Sequence, residues 1–330
     1  MKNQVDLLAR TLDWSGLPAL ATWVLEQALA VQRIAAPTFA EQPRAAYVET
    51  QFAALGLTEI TQDALYNVYG CWRGSDPALP ALMVVAHTDT VFSAPTNLTT
   101  RIAAGVVYGP GLGDNSMGVA GLLGMAAFMR SANLTPDRDV WFVATSREEG
   151  LGDLDGMRAA YTRLQSCVGA VINLEGLAFG HVYHAGIAVR RLHISAKTDG
   201  GHSWLHFGRP SAVHGIMRLG ALIDRLTPPT HPRTTYNIGM IEGGQSINSI
   251  ASSAALWLDM RSESREGLEA LERDIRAQVN ALRTPELAFQ INVVGDRPPG
   301  RLAPAHPLVQ AALAALAQVD VRGTLETGST

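Results

Sequence analysis

The chain has 330 residues, of which 47% are hydrophobic, with a mean hydropathy of +0.08 and a formal net charge of −4. That length holds two domains or one large one, and the composition suits a packed core rather than disorder. No block of like charges marks a nucleic-acid or membrane-surface partner, and two cysteines without metal-site spacing, Cys71 and Cys167, point to a reduced, cytoplasmic compartment.

The first residues, Met1 to Arg10, lack the continuous apolar core of a signal peptide. Residues 17–55 read as helical up to Gly56, and Glu26, Gln27, Gln32 and Arg33 make the stretch 17–36 too polar to span a bilayer. A strand is predicted at 67–72, then a Gly74-Ser75-Asp76-Pro77 loop and a strand at 82–86. A helix follows over 116–130, a strand at 140–144, a helix at 154–164 and a strand at 169–173. Alternating strands and helices predict an α/β layer: a mostly parallel mixed sheet flanked by helices.

Beyond Ile187 the pattern changes. Leu192, Ile194 and Ala196 alternate with polar residues, as do Leu256, Leu258 and Met260, and then Leu287, Phe289, Ile291 and Val293. Between them, helical stripes run from Val213 to Leu226 and from Leu268 to Leu282. This order predicts a small α+β sandwich, ferredoxin-like, over residues 187–296, inserted into a domain made of 1–186 and 297–330. Asp296-Arg297-Pro298-Pro299-Gly300 would form the hinge, and a helix over 307–317 would return to the first domain.

The polar residues at the strand ends carry the chemistry. His87 and Asp89 follow the run Leu82-Met83-Val84-Val85-Ala86; Arg147-Glu148-Glu149 follow the run 140–144; Asn173 and Glu175 follow Val171-Ile172. Between the first two clusters lies Gly109-Pro110-Gly111-Leu112-Gly113-Asp114-Asn115. In open α/β sheets the ligand site lies beyond the carboxyl ends of the strands. One sheet edge thus gathers His87, Asp114, Glu148, Glu149 and Glu175, nitrogen and oxygen ligands around a spare carboxylate, as a metal-assisted hydrolase needs. Asp89, two residues from His87 on an extended segment, can orient the imidazole. The adjacent carboxylates of Glu148 and Glu149 repel unless a cation holds them, and pointing different ways they can divide metal binding from proton transfer. Taken singly, each cluster also reads as ordinary structure: a strand-end histidine with a capping aspartate, a helix N-cap at Asp114, a solvated loop balanced by Arg147.

In this order the motifs resemble the two-zinc exopeptidases and deacylases, the family of bacterial glutamate carboxypeptidase, peptidase T, acetylornithine deacetylase, succinyl-diaminopimelate desuccinylase and aminoacylase. The segments that match are His87-Thr88-Asp89, Gly109–Asn115, Glu148-Glu149 and Glu175. The resemblance implies two divalent metals, zinc with cobalt or manganese as alternatives. His87 and Glu175 would bind separate ions, Asp114 would bridge them, Glu149 would complete one site, and Glu148 would be the general base. It also implies a cis peptide bond at Asp114–Asn115. In the inserted domain, read now as a dimerisation and lid domain, Gly200-Gly201-His202-Ser203 resembles the segment whose histidine stabilises the oxyanion. Gly243-Gly244-Gln245-Ser246-Ile247-Asn248 and Asp259-Met260-Arg261 resemble the pattern in which Asn and Arg hold a substrate carboxylate. Gly328 falls in the segment Glu326-Thr327-Gly328-Ser329-Thr330, which resembles the start of a further substrate-binding motif. The family's last metal-ligand histidine lies tens of residues past that motif, so the sequence as written is expected to leave one metal site incomplete.

The expected function is metal-dependent cleavage of a peptide or N-acyl amide bond next to a free carboxylate. The expected substrate is a small peptide or N-acyl amino acid, and the expected assembly a homodimer through the inserted domain. The competing expectation is a non-catalytic dimerising or ligand-binding module, or an inactive form of the enzyme. Metal-independent hydrolysis is set aside, because no Gly-x-Ser-x-Gly elbow occurs and neither cysteine has a nucleophile setting.

Overall fold

Two prolines near helix starts and one glycine at a helix end set the opening of the chain in the computed structural model, which describes residues 2–177 and 179–328. After α1 (Lys2–Thr11), α2 (Leu17–Gln32) and α3 (Gln42–Leu55) each carry Pro in the first turn, where its missing N–H is harmless. Gly56, at φ 84°, ends α3 in the left-handed conformation. The single helical stretch expected over 17–55 is therefore two helices, with Pro37 pairing in a bridge to Thr90 inside the break.

The strands β1 (Thr58–Gln62), β2 (Val68–Trp72) and β3 (Ala81–His87) follow, then a short hairpin of β4 (Arg101–Ala103) and β5 (Val106–Tyr108). An irregular turn, Leu112–Met117, leads into α4 (Gly118–Ser131), β6 (Val140–Thr145), α5 (Asp155–Leu164) and β7 (Val168–Asn173). The sheet order is β1-β2-β6-β3-β7, parallel across β6-β3-β7 and antiparallel at β1-β2-β6. β3 and β6 are apolar without alternation because both of their faces are covered. Val84, Ala86, Phe142 and Ala144 pack in one core with Val48, Phe52, Leu122 and Leu123 of α3 and α4, while Met83, Val85, Trp141 and Val143 pack in another with Ala160 and Leu164 of α5. β7 lies at the sheet edge and is half exposed.

The remaining elements are β8 (His181–Gly186), β9 (Ala188–Lys197), β10 (Gly201–His202), α6 (Ala212–Ile223), β11 (Thr234–Gly243), β12 (Ser249–Ile250), β13 (Ser253–Ser262), α7 (Arg265–Leu282), β14 (Ala288–Arg297), β15 (Gly300–Arg301), α8 (Pro307–Ala317) and β16 (Thr324–Gly328). An antiparallel sheet of order β11-β13-β9-β14 turns Leu192, Ile194, Leu256 and Leu258 toward Ile216, Leu219, Leu271 and Ile275 of α6 and α7. Period-2 alternation sends the intervening residues to the other face, where the His193 and Trp257 rings lie 4.4 Å apart. β11 was absent from the predicted elements; it is an edge strand with little burial to set its periodicity.

Contacts divide the chain into two compact units, one through His181 together with Ala311–Gly323, the other Val182–Gln310 with Thr324–Thr330. The sequence boundaries differ from these. Residues 297–310 and 324–328, expected with the first domain, group with the second unit, because β15 and β16 flank β8 in one three-stranded sheet.

Candidate metal centre

His87 ends β3, and Thr145 opposite it ends β6, so the parallel register delivers both loops to one edge. His87 is 3% exposed. Its Nδ1 lies 3.1 Å from the carbonyl oxygen of Asp89 and 3.4 Å from Asp89 Oδ1. Its Nε2 lies 3.0 Å from Asp114 Oδ1 and 3.6 Å from Glu175 Oε2. Acceptors therefore face both ring nitrogens. Burial works against the charged ring, but hydrogen bonds to Asp114, Asp89 and Glu175 outweigh it and hold its pKa well above the ordinary value.

Asp114 reaches this place through an irregular backbone: Gly111 takes φ 66°, and the Asp114–Asn115 peptide is cis. Buried Asn115 donates from Nδ2 to Leu174 O (2.8 Å) and accepts from Gly118 N (3.0 Å), tying the turn to the segment that carries Glu175. Leu174 N donates to Val85 O (2.8 Å), and Asn173 Nδ2 donates to Glu175 Oε1 (3.0 Å), so the chain past β7 is held beside β3.

The Glu148-Glu149 loop is fixed from below. Asp89, fully buried, accepts Glu148 N–H on Oδ1 and Glu149 N–H on Oδ2, both at 2.9 Å, and Thr38 Oγ1–H on Oδ2 at 2.9 Å. Burial works to raise its pKa, but His87 and the two amides hold it below the ordinary carboxylate value. Asp89 was expected among the catalytic residues; its oxygens lie beneath the surface and are occupied by these donors. Burial, then the charges of Glu148 and Asp114, push the Glu149 carboxyl up to about 7.

The structure thus brings all five expected strand-end residues together. His87, Glu148 and Glu149 offer ligand atoms within 4.8 Å of one another, and so do His87, Asp114 and Glu175. One imidazole among carboxylate oxygens suits zinc, cobalt or manganese. A cation fits because Nε2 faces two carboxylates, so that metal-free it takes a second proton where a ligand lone pair would otherwise point. His87 and Glu175 belong to one such set, in contrast to the separate ions that the resemblance implied.

The other expected residues lie in the second unit. His202 and Asn248 are neighbours there: β10 pairs His202 with Ser249, and Ser203 N donates to Asn248 O (3.1 Å). His202 Nδ1 accepts Trp204 N–H (3.2 Å) and Leu205 N–H (3.4 Å), which leaves the proton of the neutral ring on Nε2 as a donor. Arg261 donates from Nε to Asp259 Oδ2 (2.7 Å), while Arg191 donates to Asp259 Oδ1 (2.9 Å). Gly328 is occupied by sheet pairing, its carbonyl accepting Ile187 N–H (2.9 Å).

Residues 67–187 match the model of peptidase family M28, a span that contains all five residues of the centre. Residues 184–285 match the peptidase dimerisation domain, which contains His202, Asn248 and Arg261. The chain thus joins a stretch that matches peptidase family M28 to one that matches the peptidase dimerisation domain. The metallopeptidase resemblance read from the sequence is borne out.

Solved structures share the fold. Aminopeptidase PepT from Bacillus cereus superposes with a TM-score of 0.70 at 19% identity, over 93% of this chain and 84% of that one. The di-peptidase Dug1p from Saccharomyces cerevisiae gives 0.76 at 13% identity, over 100% and 88%. An amidase of the hydantoinase/carbamoylase family from Burkholderia vietnamiensis gives 0.68 at 16% identity, over 97% and 85%. The family matches support a hydrolase of peptide or related amide bonds. Among the described residues, no helix is long and apolar enough to cross a membrane.

Four residues of the centre's support carried no sequence signal: Thr38, Glu41, Arg44 and Asn67. Arg44, 1% exposed, donates to Thr88 O (2.8 Å) and Ile34 O (2.7 Å), and burial lowers its pKa to about 10 against the pull of Asp89.

Proposed function

We propose that this protein is a zinc-dependent hydrolase, with cobalt or manganese as alternative metals, that cleaves a peptide or N-acyl amide bond beside a free carboxylate. The observation that carries the reading is the convergence of Asp114, Glu148, Glu149 and Glu175 on one buried imidazole. His87, Asp114 and Glu175 would hold one ion; Glu149, sharing Asp114, would hold a second. Bound there, the metal supplies Lewis acidity toward a carbonyl oxygen and makes water a stronger acid. Glu148, held by its own amide on Asp89, takes the proton from the attacking water and passes it to the leaving nitrogen. His202 offers Nε2–H to the oxyanion, and Asn248 and Arg261 bind the substrate carboxylate.

A small peptide or N-acyl amino acid is the proposed substrate, on the pattern of carboxypeptidases and deacylases rather than aminopeptidases. The dimerisation-domain match supports a homodimer through the second unit. A cytoplasmic location agrees with two unpaired cysteines, one of them buried.

Glu148→Gln tests the mechanism. Bound zinc is expected to stay while turnover of a panel of dipeptides and N-acyl amino acids falls by about 10²- to 10⁴-fold. Unchanged turnover would reject Glu148 as base, and a wild-type chain that binds no zinc, cobalt or manganese would reject the metal reading.

A further inference from the structure

After β6, four consecutive backbone amides each donate to a buried side-chain oxygen. Ser146 N donates to Asn67 Oδ1 (2.9 Å), Arg147 N to Glu41 Oε1 (3.0 Å), and Glu148 N and Glu149 N to the two oxygens of Asp89 (2.9 Å each). Asn67, Glu41 and Asp89 are all 0% exposed. Asn67 and Glu41 lie outside or at the very edge of the matched peptidase span, which begins at residue 67.

Glu41 is an expensive way to hold a loop. It stands at the N-cap of α3 but makes no side-chain cap there. Instead Oε1 accepts Phe39 N–H and Arg147 N–H, both at 3.0 Å, and Oε2 is buried with no hydrogen-bond partner among the described residues. A half-satisfied buried carboxylate lowers stability. The residue it grips, Arg147, sits at φ 55°, a left-handed conformation that a non-glycine side chain keeps only when its surroundings enforce it. The next two residues carry adjacent carboxylates whose repulsion works to spread the loop. The same first turn of α3 also supplies Arg44, which holds the carbonyl of Thr88 between His87 and Asp89.

We infer that Glu41 is a positioning residue for the Glu148-Glu149 pair: with Asn67 and Asp89 it forms a buried brace that fixes the loop through its amides, and so aims Glu148 through the backbone. The kinetic part of this inference rests on the proposed role of Glu148; the structural part does not.

Two variants separate acceptor position from charge, in the full chain supplied with zinc. Glu41→Gln keeps an oxygen at the same reach; Glu41→Asp keeps the charge but withdraws the acceptor by one methylene. Hydrogen exchange of the amides at 146–149, bound zinc, kcat and KM are measured on a dipeptide that the wild type hydrolyses. Glu41→Gln is expected to stay within about twofold of wild type in kcat, whereas Glu41→Asp loses about 10- to 100-fold in kcat with KM unchanged. In Glu41→Asp the amides at 147–149 are expected to exchange about tenfold faster while those of β3 do not change. Wild-type exchange and kcat in Glu41→Asp would overturn the inference. So would a Glu41→Gln chain impaired at least as much as Glu41→Asp, which would show that an acceptor at the right position is not enough without the charge. If Glu148→Gln leaves turnover intact, the reading of Glu148 fails, and the exchange of the amides at 147–149 in Glu41→Asp still decides whether Glu41 holds the loop.

Discussion

At the carboxyl ends of β3 and β6 the first unit buries His87, Thr88, Asp89, Thr90, Thr145 and Ser146, whereas the four-stranded sheet of the second unit buries apolar side chains on one face and leaves Arg191, Asp259 and Arg261 on the other. In the first unit the buried polar groups bond across long chain separations, Glu41 to Arg147 and Asp89 to Glu148 among them. In the second unit the loop of His202 bonds mainly to itself and to the Asn248 loop, and Trp204, Leu205, Phe207 and Ile247 around it are 73% exposed or more. Polar groups buried at the expense of stability mark a place where charge must be held in fixed geometry; donors on an exposed loop mark a surface that acts on what arrives.

The sharpest way to break that contrast is to remove the charge at the centre of the brace. Asp89→Ala strands two amides and a hydroxyl and withdraws a partner from His87. The expected loss of stability is about 3–5 kcal/mol in denaturant unfolding of the full chain. His202→Ala, on the exposed loop, is expected to change stability by less than about 0.5 kcal/mol while lowering kcat. Equal stability losses from the two variants would remove the distinction between the units.

The contrast also explains how much of the molecule was legible in the sequence. β3 and β6 could be read because a strand covered on both faces writes a continuous apolar run, and the polar residues just past each run belong to the site. His87, Glu148, Glu149 and Glu175 were found that way, and Asp114 from the Gly-rich turn between the first two clusters. The break between α2 and α3 was overrun because helical periodicity resumes on either side of it, and with it Thr38 and Glu41 were missed. No local pattern could mark Glu41, whose amide partner lies 106 residues away, or Asn67, whose partner Ser146 lies 79 away. Buried braces are properties of the folded contact map.

A second, smaller effect arises from the charges in the centre. Glu149 has a folded pKa of about 7 against an ordinary 4.5, and that of His87 lies well above 6.5. Both groups bind protons more tightly when folded. The contribution of Glu149 is therefore lost as pH rises from about 4.5 through 7, and that of His87 as pH rises past 6.5 through its folded value. With a chelator present, the denaturant midpoint is expected to fall between pH 6 and pH 8. A cation requires both groups deprotonated, so the gain in midpoint from excess zinc should be larger at pH 8 than at pH 6. A chelated midpoint that rises with pH would contradict the arrangement of carboxylates around His87.

A last comparison lies within the second unit, where a small stability effect separates support from function. Asp259 accepts from both Arg191 and Arg261, and its side chain is 24% exposed. Ion pairs of this exposure contribute little, so Asp259→Asn should lower stability by less than about 1 kcal/mol. If Arg261 binds the substrate carboxylate, the same variant loosens the guanidinium and should raise KM severalfold at unchanged kcat, the reverse of the split expected for Glu41→Asp. An Asp259→Asn chain that loses kcat and keeps KM would show that this arginine pair serves the reacting centre rather than the grip on the substrate.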